Sequence, residues 1–243
     1  MIACDELNMQ LEKILQSQGF GSRKHCRQLI ENGNITIHGE VQTNPKTNVD
    51  ISDLAFNVAG KSWQYREKVY LALNKPIGYE CSHQPQHHPS VFSLLPLQFI
   101  ERGVQCVGRL DQDTTGLLIL SDDGAFLQAL THPKKHVPKR YIVTTNRPVT
   151  DEQIEQLKQG VALRNEQGIY NADDCIQMAE NQLVLTIHQG LYHQVKRMIA
   201  AVGNHVDALH REQIGQFKLP DDLAESEWIY LNDEQINLAK RLG

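Results

Sequence analysis

The sequence predicts an α+β fold in which a small amino-terminal unit precedes a larger domain with a mixed, largely antiparallel sheet. Residues 9 to about 50 carry two helical patterns and then a hairpin pattern. Beyond residue 66, strand and helix patterns alternate, and many of the connections are short for parallel crossovers. A chain of 243 residues has room for both parts, which we place at 9–62 and 66–243.

The amino-terminal unit is predicted to be two helices and a hairpin. In "MQLEKILQSQGFGS" the apolar residues lie on one helical stripe, and two glycines end the helix. Ser22 is placed to cap a second helix, Arg23–Glu31, which presents three cations to solvent: Arg23, Lys24 and Arg27. "NITIHGEVQT" follows as two strands around a tight turn, and the polar stretch "AGKSWQYREK" is predicted to be the linker.

The larger domain begins with the alternating strand "VYLALNKP", which Pro76 ends because proline cannot extend a ladder. The apolar run "LLILS" predicts a buried strand that turns at residues 122–124 into the short helix "AFLQAL". Thr150 and Gln153 form a capping-box pattern at the start of the helix "DEQIEQLKQG". Two further strands, "KRYIVTT" and "QLVLTIH", and a helix from about Tyr192 to Val202 complete the pattern.

Several function classes are disfavoured by composition. No apolar run approaches the ~18 residues that cross a bilayer, and the amino terminus carries acids where a signal peptide is basic. We therefore expect no membrane segment. The five cysteines are odd in number and scattered, without a Cys-x-x-Cys pair. That usage favours reduced thiols and a cytoplasmic location over a disulfide framework.

The net charge of -5 hides a segregation of charge along the chain. No acid occurs between Asp123 and Asp151, a window that contains five cations: Lys134, Lys135, Lys139, Arg140 and Arg147. None occurs between Glu180 and Asp207, a window that contains Lys196 and Arg197. These two basic windows predict a surface that binds a polyanion.

The stretch "GRLDQDTTGLLILSDDG", residues 108–124, places acids and small hydroxyls directly before a buried strand. A loop at the edge of such a strand holds its side chains rigidly where they can reach a ligand. Arg109, two residues before Asp111, can keep that carboxyl ionised at neutral pH. We therefore predict a functional carboxylate at Asp111, whereas Asp113 and the threonines fit an Asx-turn that bonds its own backbone.

Two further stretches offer partners for that carboxylate. In "KRYIVTT", Tyr141 follows two cations, and an aromatic face beside positive charge can stack a nucleobase while its phosphate is bound. In "GLYHQVKRMIAAVG", His193, Lys196 and Arg197 share the polar face of an amphipathic helix. From the pattern alone, either Lys196 or Arg197 can reach a carboxylate held elsewhere in the fold.

In this order, "GRLDQDTTGLL", "KRYIVT" and "YHQVKRMIAAVGNHV" resemble the RsuA-type family of pseudouridine synthases, and "LEKILQSQGFGSRKHCRQLIENGNITIHGE" resembles the S4-type RNA-binding domain. The resemblance implies isomerisation of uridine to pseudouridine without a cofactor or a metal. It implies that Asp111 is the catalytic aspartate and Tyr141 the active-site tyrosine. It also implies that Lys196, with Arg197 as second candidate, is the cation that pairs with the aspartate.

The resemblance further implies that the partner is ribosomal RNA, and specifically 16S RNA in an assembling small subunit, bound by a monomer. With the basic windows, it places RNA contacts at ten residues: Arg23, Lys24, Arg27, Arg109, Lys134, Lys135, Lys139, Arg140, His193 and Gln194. Two features depart from the family pattern. "QGL" stands where Glu-Gly-Arg is usual, so one cation is missing, and the loop "CSHQPQHHPS" is richer in histidine.

Four alternatives stay open. The substrate can be large-subunit rRNA instead, or the chain can be a non-catalytic RNA-binding module. "DQDTT" also matches the Asp-x-Asp-x-Thr motif of Mg²⁺-dependent haloacid-dehalogenase-type phosphatases, although that motif requires an apolar strand before it. Finally, four side chains of the histidine-rich loop suit zinc, although no second Cys/His pair follows at finger-like spacing: Cys81, His83, His87 and His88.

Overall fold

The computed structural model describes residues 7–132 and 135–242. The chain divides into two compact units. The first unit comprises the chain up to Val69 together with Leu95–Val104, and the second comprises Tyr70–Leu94 and the chain from Gln105 onward. Within the described residues, no helix has both the length and the apolar character needed to span a bilayer.

Among its described residues, the first unit contains three helices and six short strands. In chain order these are β1 (Asn8–Gln10), α1 (Leu11–Ser17), α2 (Arg23–Glu31), β2 (Ile35–Ile37), β3 (Glu40–Gln42), β4 (Asn48–Asp50), β5 (Ala55–Val58), β6 (Lys61–Gln64) and α3 (Leu97–Glu101). β1 pairs with β4, and the other strands form an antiparallel sheet in the order β3-β2-β5-β6. The predicted helix pair and hairpin are therefore confirmed.

The second helix of this unit starts where the sequence predicts. The Ser22 hydroxyl accepts a hydrogen bond from the backbone N–H of His25, which satisfies one of the free donors of the first turn. The prediction that "AGKSWQYREK" is a linker is wrong for Lys61–Gln64. These residues form β6, which extends the small sheet. Trp63 in β6 packs edge-on against Phe20 with ring centroids 5.1 Å apart.

The second unit contains eleven strands and four α-helices among its described residues. The strands are β7 (Tyr70–Lys75), β8 (Gln105–Cys106), β9 (Thr114–Ser121), β10 (Lys139–Thr145), β11 (Val161–Ala162), β12 (Ile169–Tyr170), β13 (Asp174–Ala179), β14 (Gln182–Ile187), β15 (Val206–Ile214), β16 (Phe217–Lys218) and β17 (Trp228–Tyr230). The helices are α4 (Gly124–Thr131), α5 (Asp151–Gln159), α6 (Gln194–Ala201) and α7 (Asp233–Lys240).

The main sheet has the strand order β13-β14-β10-β15-β9-β7-β17. β9 and β15 pair in parallel, while the other pairs along this path are antiparallel. This arrangement confirms the predicted α+β class with a mixed, largely antiparallel sheet. One face of the sheet packs against α4 and α7 through a buried apolar cluster that includes Leu117, Ile119, Phe126 and Ile236.

Two helices of this unit begin at side-chain caps, and the cap of α5 is the one that the sequence predicted. Asp123 starts α4 by accepting hydrogen bonds from the N–H groups of Ala125 and Phe126. Thr150 and Gln153 form the predicted reciprocal capping box of α5. The helix α6 begins at Gln194, later than the predicted Tyr192, because His193 takes a left-handed backbone conformation (φ 51°) at the cap position.

Candidate active site

Four residues form a row across one face of the main sheet. In the strand registers, Tyr141 of β10 lies opposite Arg211 of β15, Arg211 opposite Gly116 of β9, and Gly116 opposite Lys75 of β7. Directly opposite residues in a sheet project to the same side. A glycine is required in this row, because a Cβ at Gly116 would lie 2.3 Å from the carbonyl oxygen of Arg211. The row therefore brings an aromatic side chain and two cations to one face.

The buried side chain of Lys75 holds the loop that carries Asp111 and Asp113. Its ammonium group donates to the carbonyl oxygens of Thr114 at 2.9 Å, Pro76 at 3.0 Å and Gln112 at 3.3 Å. Burial lowers the pKa of Lys75 below its ordinary value, and the nearby acids act against that shift. Through the carbonyl groups of Gln112 and Thr114, Lys75 thus ties the end of this loop and the start of β9 to the end of β7.

The carboxylate of Asp111 lies between two side chains from the α6 region. Its Oδ2 is 3.2 Å from the ammonium nitrogen of Lys196, and its Oδ1 is 3.3 Å from Nε2 of His193. The Asp111 side chain is 30 % exposed, so it faces solvent from a partly enclosed position. The structure therefore brings Asp111 to Lys196, the first of the two cations that the sequence offered.

Asp113 is the second carboxylate on the same ammonium group. Its Oδ1 accepts a hydrogen bond from Lys196 at 2.6 Å. Partial burial of Lys196 opposes its charge, but the hydrogen bond from Asp113 and the neighbouring Asp111 together raise its pKa. Partial burial likewise opposes the charge of Asp113, and the Lys196 hydrogen bond outweighs it and lowers the pKa of Asp113.

Arg197 points to a different acid. Its guanidinium pairs with Glu166 at 3.0 Å and also bonds the backbone carbonyls of Tyr192 and Arg164. Arg197 therefore anchors the loop after β11 and does not meet Asp111. Residues 196 and 197 are neighbours in sequence, but one residue of helix turns the side chain by about 100°.

Tyr141 and Arg211 are both buried. Tyr141 is 8 % exposed and Arg211 is 3 % exposed. The Nε of Arg211 donates to the Leu117 carbonyl oxygen at 2.9 Å, and its Nη2 finds no hydrogen-bond partner within the part of the chain that the structure describes. Arg211 was not predicted from sequence. The sequence feature that could have identified Arg211 is a charged residue at an inward-facing position of "VDALHREQI".

Two thiols lie beside the Asp111 loop. The Cys81 sulfur accepts a hydrogen bond from the backbone N–H of Leu110 at 3.5 Å and another from the thiol of Cys106. The Cys106 hydrogen bond is the main cause that lowers the pKa of Cys81 to about 7, with Lys75 and Arg211 adding to it. The same bond raises the pKa of Cys106.

The remaining predicted RNA contacts have different surroundings. Arg109, Lys24 and Lys135 are exposed, and Lys134 lies outside the described residues. Arg140 pairs with Glu212 at 2.7 Å. Gln194 is buried. Its side-chain Oε1 accepts a hydrogen bond from the Leu191 N–H, and its side-chain Nε2 donates one to Oε1 of Gln189. It therefore shapes the turn that precedes α6.

Lys139 turns inward from β10. Its ammonium donates to the carbonyl oxygens of Val137 at 2.9 Å and His188 at 3.1 Å. Burial, with a smaller contribution from Arg211, lowers the pKa of Lys139 to about 8.

In the first unit, Arg23 and Arg27 both bind the carboxylate of Glu12, with the Arg23 contact at 2.7 Å.

The histidine-rich loop is ordered by a carboxylate. Glu80 accepts hydrogen bonds from the backbone N–H groups of residues 86, 87 and 88. His83 stacks on Phe92 with ring centroids 3.7 Å apart. Across residues 7–132 and 135–242, no three His, Cys, Asp or Glu side chains come together in a way that could hold a metal ion.

The comparisons with known proteins agree with this architecture. The family model for RNA pseudouridylate synthase matches residues 69–201, and the model for the S4 domain matches residues 9–54. The chain therefore belongs to the pseudouridine synthase family of RNA-modifying isomerases, with an S4 domain at its amino-terminal end.

Particular relatives match nearly the whole chain. The protein named ribosomal small subunit pseudouridine synthase A from Escherichia coli (strain K12) is 39% identical over 229 residues, covering 94% of this chain and 98% of that protein. Its namesake from Vibrio vulnificus (strain CMCP6) is 37% identical over 242 residues with the same coverage. A crystal structure of a pseudouridylate synthase superposes with a TM-score of 0.67 at 31% identity, covering 95% of this chain and 99% of that one.

Proposed function

We propose that this protein isomerises one uridine of small-subunit (16S) ribosomal RNA to pseudouridine, with Asp111 as its catalytic carboxylate and no cofactor. The observation that carries the proposal is the ion pair between Asp111 and Lys196, 3.2 Å apart and partly enclosed. It stands in a chain 39% identical to a relative named for small-subunit rRNA. The alternative substrate is large-subunit rRNA, and a pseudouridine map of both rRNAs distinguishes the two.

The reaction requires an ionised carboxylate that acts as nucleophile or base while the uracil leaves C1′, rotates and rejoins through C5. Lys196 supplies the positive counter-charge of the Asp111 carboxylate, 3.2 Å away, when RNA displaces water from the site. Lys75 holds the backbone next to Asp111 and Asp113 through the Thr114 carbonyl oxygen. The Asp111 carboxylate is therefore already in position before the reaction begins. Tyr141, buried on the same face of the sheet as Arg211, supplies an aromatic surface for the extruded base.

RNA binding is assigned to exposed groups around the carboxylate and on the S4 domain. Tyr192 is 71 % exposed and stacks on His193, which itself contacts Asp111. An exposed aromatic ring beside the site can stack on a nucleotide next to the target. On the S4 domain, Lys24 and the arginines held by Glu12 present positive charge at the start of α2. The proposed setting is the cytoplasm, with a monomer acting on an assembling small subunit.

The proposal is tested by mapping pseudouridines in the rRNA of both ribosomal subunits from cells that lack this protein. Wild-type and Asp111→Asn copies are then restored at equal expression. We expect a single small-subunit pseudouridine to disappear and only the wild-type copy to restore it. Loss of a large-subunit site instead would establish the alternative substrate. An unchanged map in the deletion strain would contradict the assignment.

A further inference from the structure

Lys196 is shared unequally between two carboxylates. Its ammonium nitrogen is 2.6 Å from Asp113 and 3.2 Å from Asp111, so the shorter contact is made with the acid that is not assigned to catalysis. The Asp113 side chain is 47 % exposed, whereas Lys196 is 23 % exposed. Asp113, the more exposed acid, therefore lies on the solvent side of Lys196, and Lys196 also contacts the proposed catalytic carboxylate Asp111.

The reaction itself changes the charge next to Lys196. If Asp111 attacks C1′, the bond between C1′ and N1 of uracil breaks, the carboxylate becomes a neutral ester and the negative charge leaves with the uracil. If Asp111 instead removes a proton, it becomes a neutral acid and the negative charge passes to the substrate. In both cases the partly buried ammonium loses one of its two anions while the reaction is under way. Leaving a desolvated cation without its counter-charge is costly. A second carboxylate that keeps its charge would avoid that cost.

We propose that Asp113 is a positioning residue that keeps Lys196 charged and in place while the charge of Asp111 is consumed, an inference that rests on the proposed function. The backbone supports this role. Lys75 binds the carbonyl oxygens of Gln112 and Thr114, on either side of Asp113, and the Thr114 N–H donates to the Asp111 carbonyl oxygen at 3.1 Å. The loop is thereby curled so that both carboxylates reach one ammonium group.

The other titratable groups near Lys196 do not replace Asp113. On its own segment, His193 contacts Asp111, and Arg197 is paired with Glu166. From β15, which packs against α6, the ring of His210 bonds the Thr115 hydroxyl, Arg211 bonds a backbone carbonyl, and Asp207 is exposed. The other strand packed against α6, β11, consists of valine and alanine. Asp111 and Asp113 are the two carboxylates within ion-pair distance of Lys196 among the described residues.

The first test uses the full-length protein without RNA. The titration of the Lys196 side chain is followed by NMR of ¹³C-labelled lysine, assigned with Lys196→Arg. Asp113→Asn is expected to lower the pKa of Lys196 measurably, because the hydrogen bond from Lys196 to the Asp113 carboxylate favours the charged ammonium form. Asp113→Glu is expected to restore most of the shift. The matched control Glu166→Gln, which removes the other acid paired with α6, is expected to leave the Lys196 titration at its wild-type position.

The second test measures single-turnover pseudouridine formation with saturating small-subunit RNA over a range of pH. Asp113→Asn is expected to lower the rate about tenfold, with the RNA affinity near that of wild type, and to move the alkaline limb to lower pH. Asp113→Glu should recover part of the rate. Thermal melting of each variant monitors folding, and Glu166→Gln should keep the wild-type pH profile.

The outcomes separate the inference from the proposed function. A wild-type Lys196 titration and a wild-type pH profile in Asp113→Asn would overturn the inference while leaving the proposed function in place. A wild-type protein that forms no pseudouridine in either rRNA would overturn the proposed function. In that event the lysine titration still decides whether Asp113 holds Lys196 in its charged form.

Discussion

The ammonium nitrogen of Lys75 lies 2.9 Å from the carbonyl oxygen of Thr114, although the two residues are 39 positions apart in the chain. This contact joins the carboxyl end of β7 to the first residue of β9, directly after the loop that carries Asp111 and Asp113. Because Lys75 is fully buried, its charge is compensated by backbone dipoles and nearby acids and not by water. The loop that carries Asp111 is therefore held by a side chain whose hydrogen bonds, among the described residues, all go to backbone carbonyl oxygens.

Replacing Lys75 with methionine is expected to lower both stability and activity. Methionine fills the space of the lysine stem but leaves the Thr114 and Gln112 carbonyl groups without this donor. Each buried unsatisfied group costs about 1–3 kcal/mol, and removing a desolvated cation offsets part of that cost. We expect a net loss of about 2 kcal/mol in the free energy of unfolding and a lower rate at saturating RNA.

The control for this variant is Lys158→Met, which removes an exposed lysine of α5. It is expected to melt at nearly the wild-type temperature, since exposed ion pairs contribute little to stability. If Lys75→Met matches wild type in both melting temperature and turnover, the loop holds its conformation without this cation.

The stability of the S4 domain is expected to fall in acid through Glu12. Hydrogen bonds from Arg27 and then Arg23 are the main causes that lower the pKa of Glu12 from 4.5 to about 2. Between these two values the unfolded chain binds a proton that the folded chain does not. Stability from this group is therefore fully present above about pH 5 and is lost as the pH falls to about 2.

Glu12→Gln is expected to remove this contribution, so the difference in unfolding free energy between wild type and variant shrinks as the pH falls through that window. Trp63 fluorescence in a Trp228→Phe background reports on the unit that contains Glu12. Glu31→Gln, an exposed acid at the end of α2, serves as control. A difference between wild type and Glu12→Gln that stays constant across the window would rule out the ion-paired carboxylate as its source.

Tyr192 is expected to contribute to RNA affinity and not to the chemical step. Its ring stacks on His193 with centroids 3.8 Å apart and planes 18° apart, and the side chain is largely exposed. Base stacking on an aromatic ring is worth roughly 1–3 kcal/mol, so Tyr192→Ala should weaken RNA binding about tenfold or more.

Tyr192→Phe keeps the ring and is expected to bind RNA nearly as tightly as wild type. Fluorescence anisotropy with a labelled RNA fragment measures the affinities, and the rate at saturating RNA separates binding from chemistry. Equal affinity of Tyr192→Ala and wild type would place the bound nucleotides elsewhere.

Most elements follow from local signals in the sequence. The cap at Ser22, the capping box of Thr150 and the strand that ends before Pro76 each depend on a few neighbouring residues, and each is present. The strand β6 was missed because it is a largely exposed edge strand, and its polar residues have the composition of a linker. The aromatic residues Trp63 and Tyr65 are the signal that this segment packs against the core of the first unit.

The site was only partly predictable. The motif around Asp111 indicated a held carboxylate, but the choice between Lys196 and Arg197 depends on how α6 is rotated relative to a loop more than 80 residues earlier. The contact between Asp113 and Lys196 was missed because the local pattern of Asp113 is also that of a turn residue. Lys75 and Arg211 were missed because their hydrogen-bond partners are backbone carbonyl oxygens, which leave no trace in side-chain patterns.

The most direct test of the catalytic role of Asp111 is the release of tritium from C5 of uridine in a small-subunit RNA transcript. Isomerisation joins C5 to C1′ and must expel the hydrogen that C5 carries. Wild-type protein is predicted to release the equivalent of one uridine per RNA, and Asp111→Asn to release it slower by on the order of a thousandfold or more. Release by Asp111→Asn at the wild-type rate would contradict the assignment of Asp111 as the catalytic carboxylate.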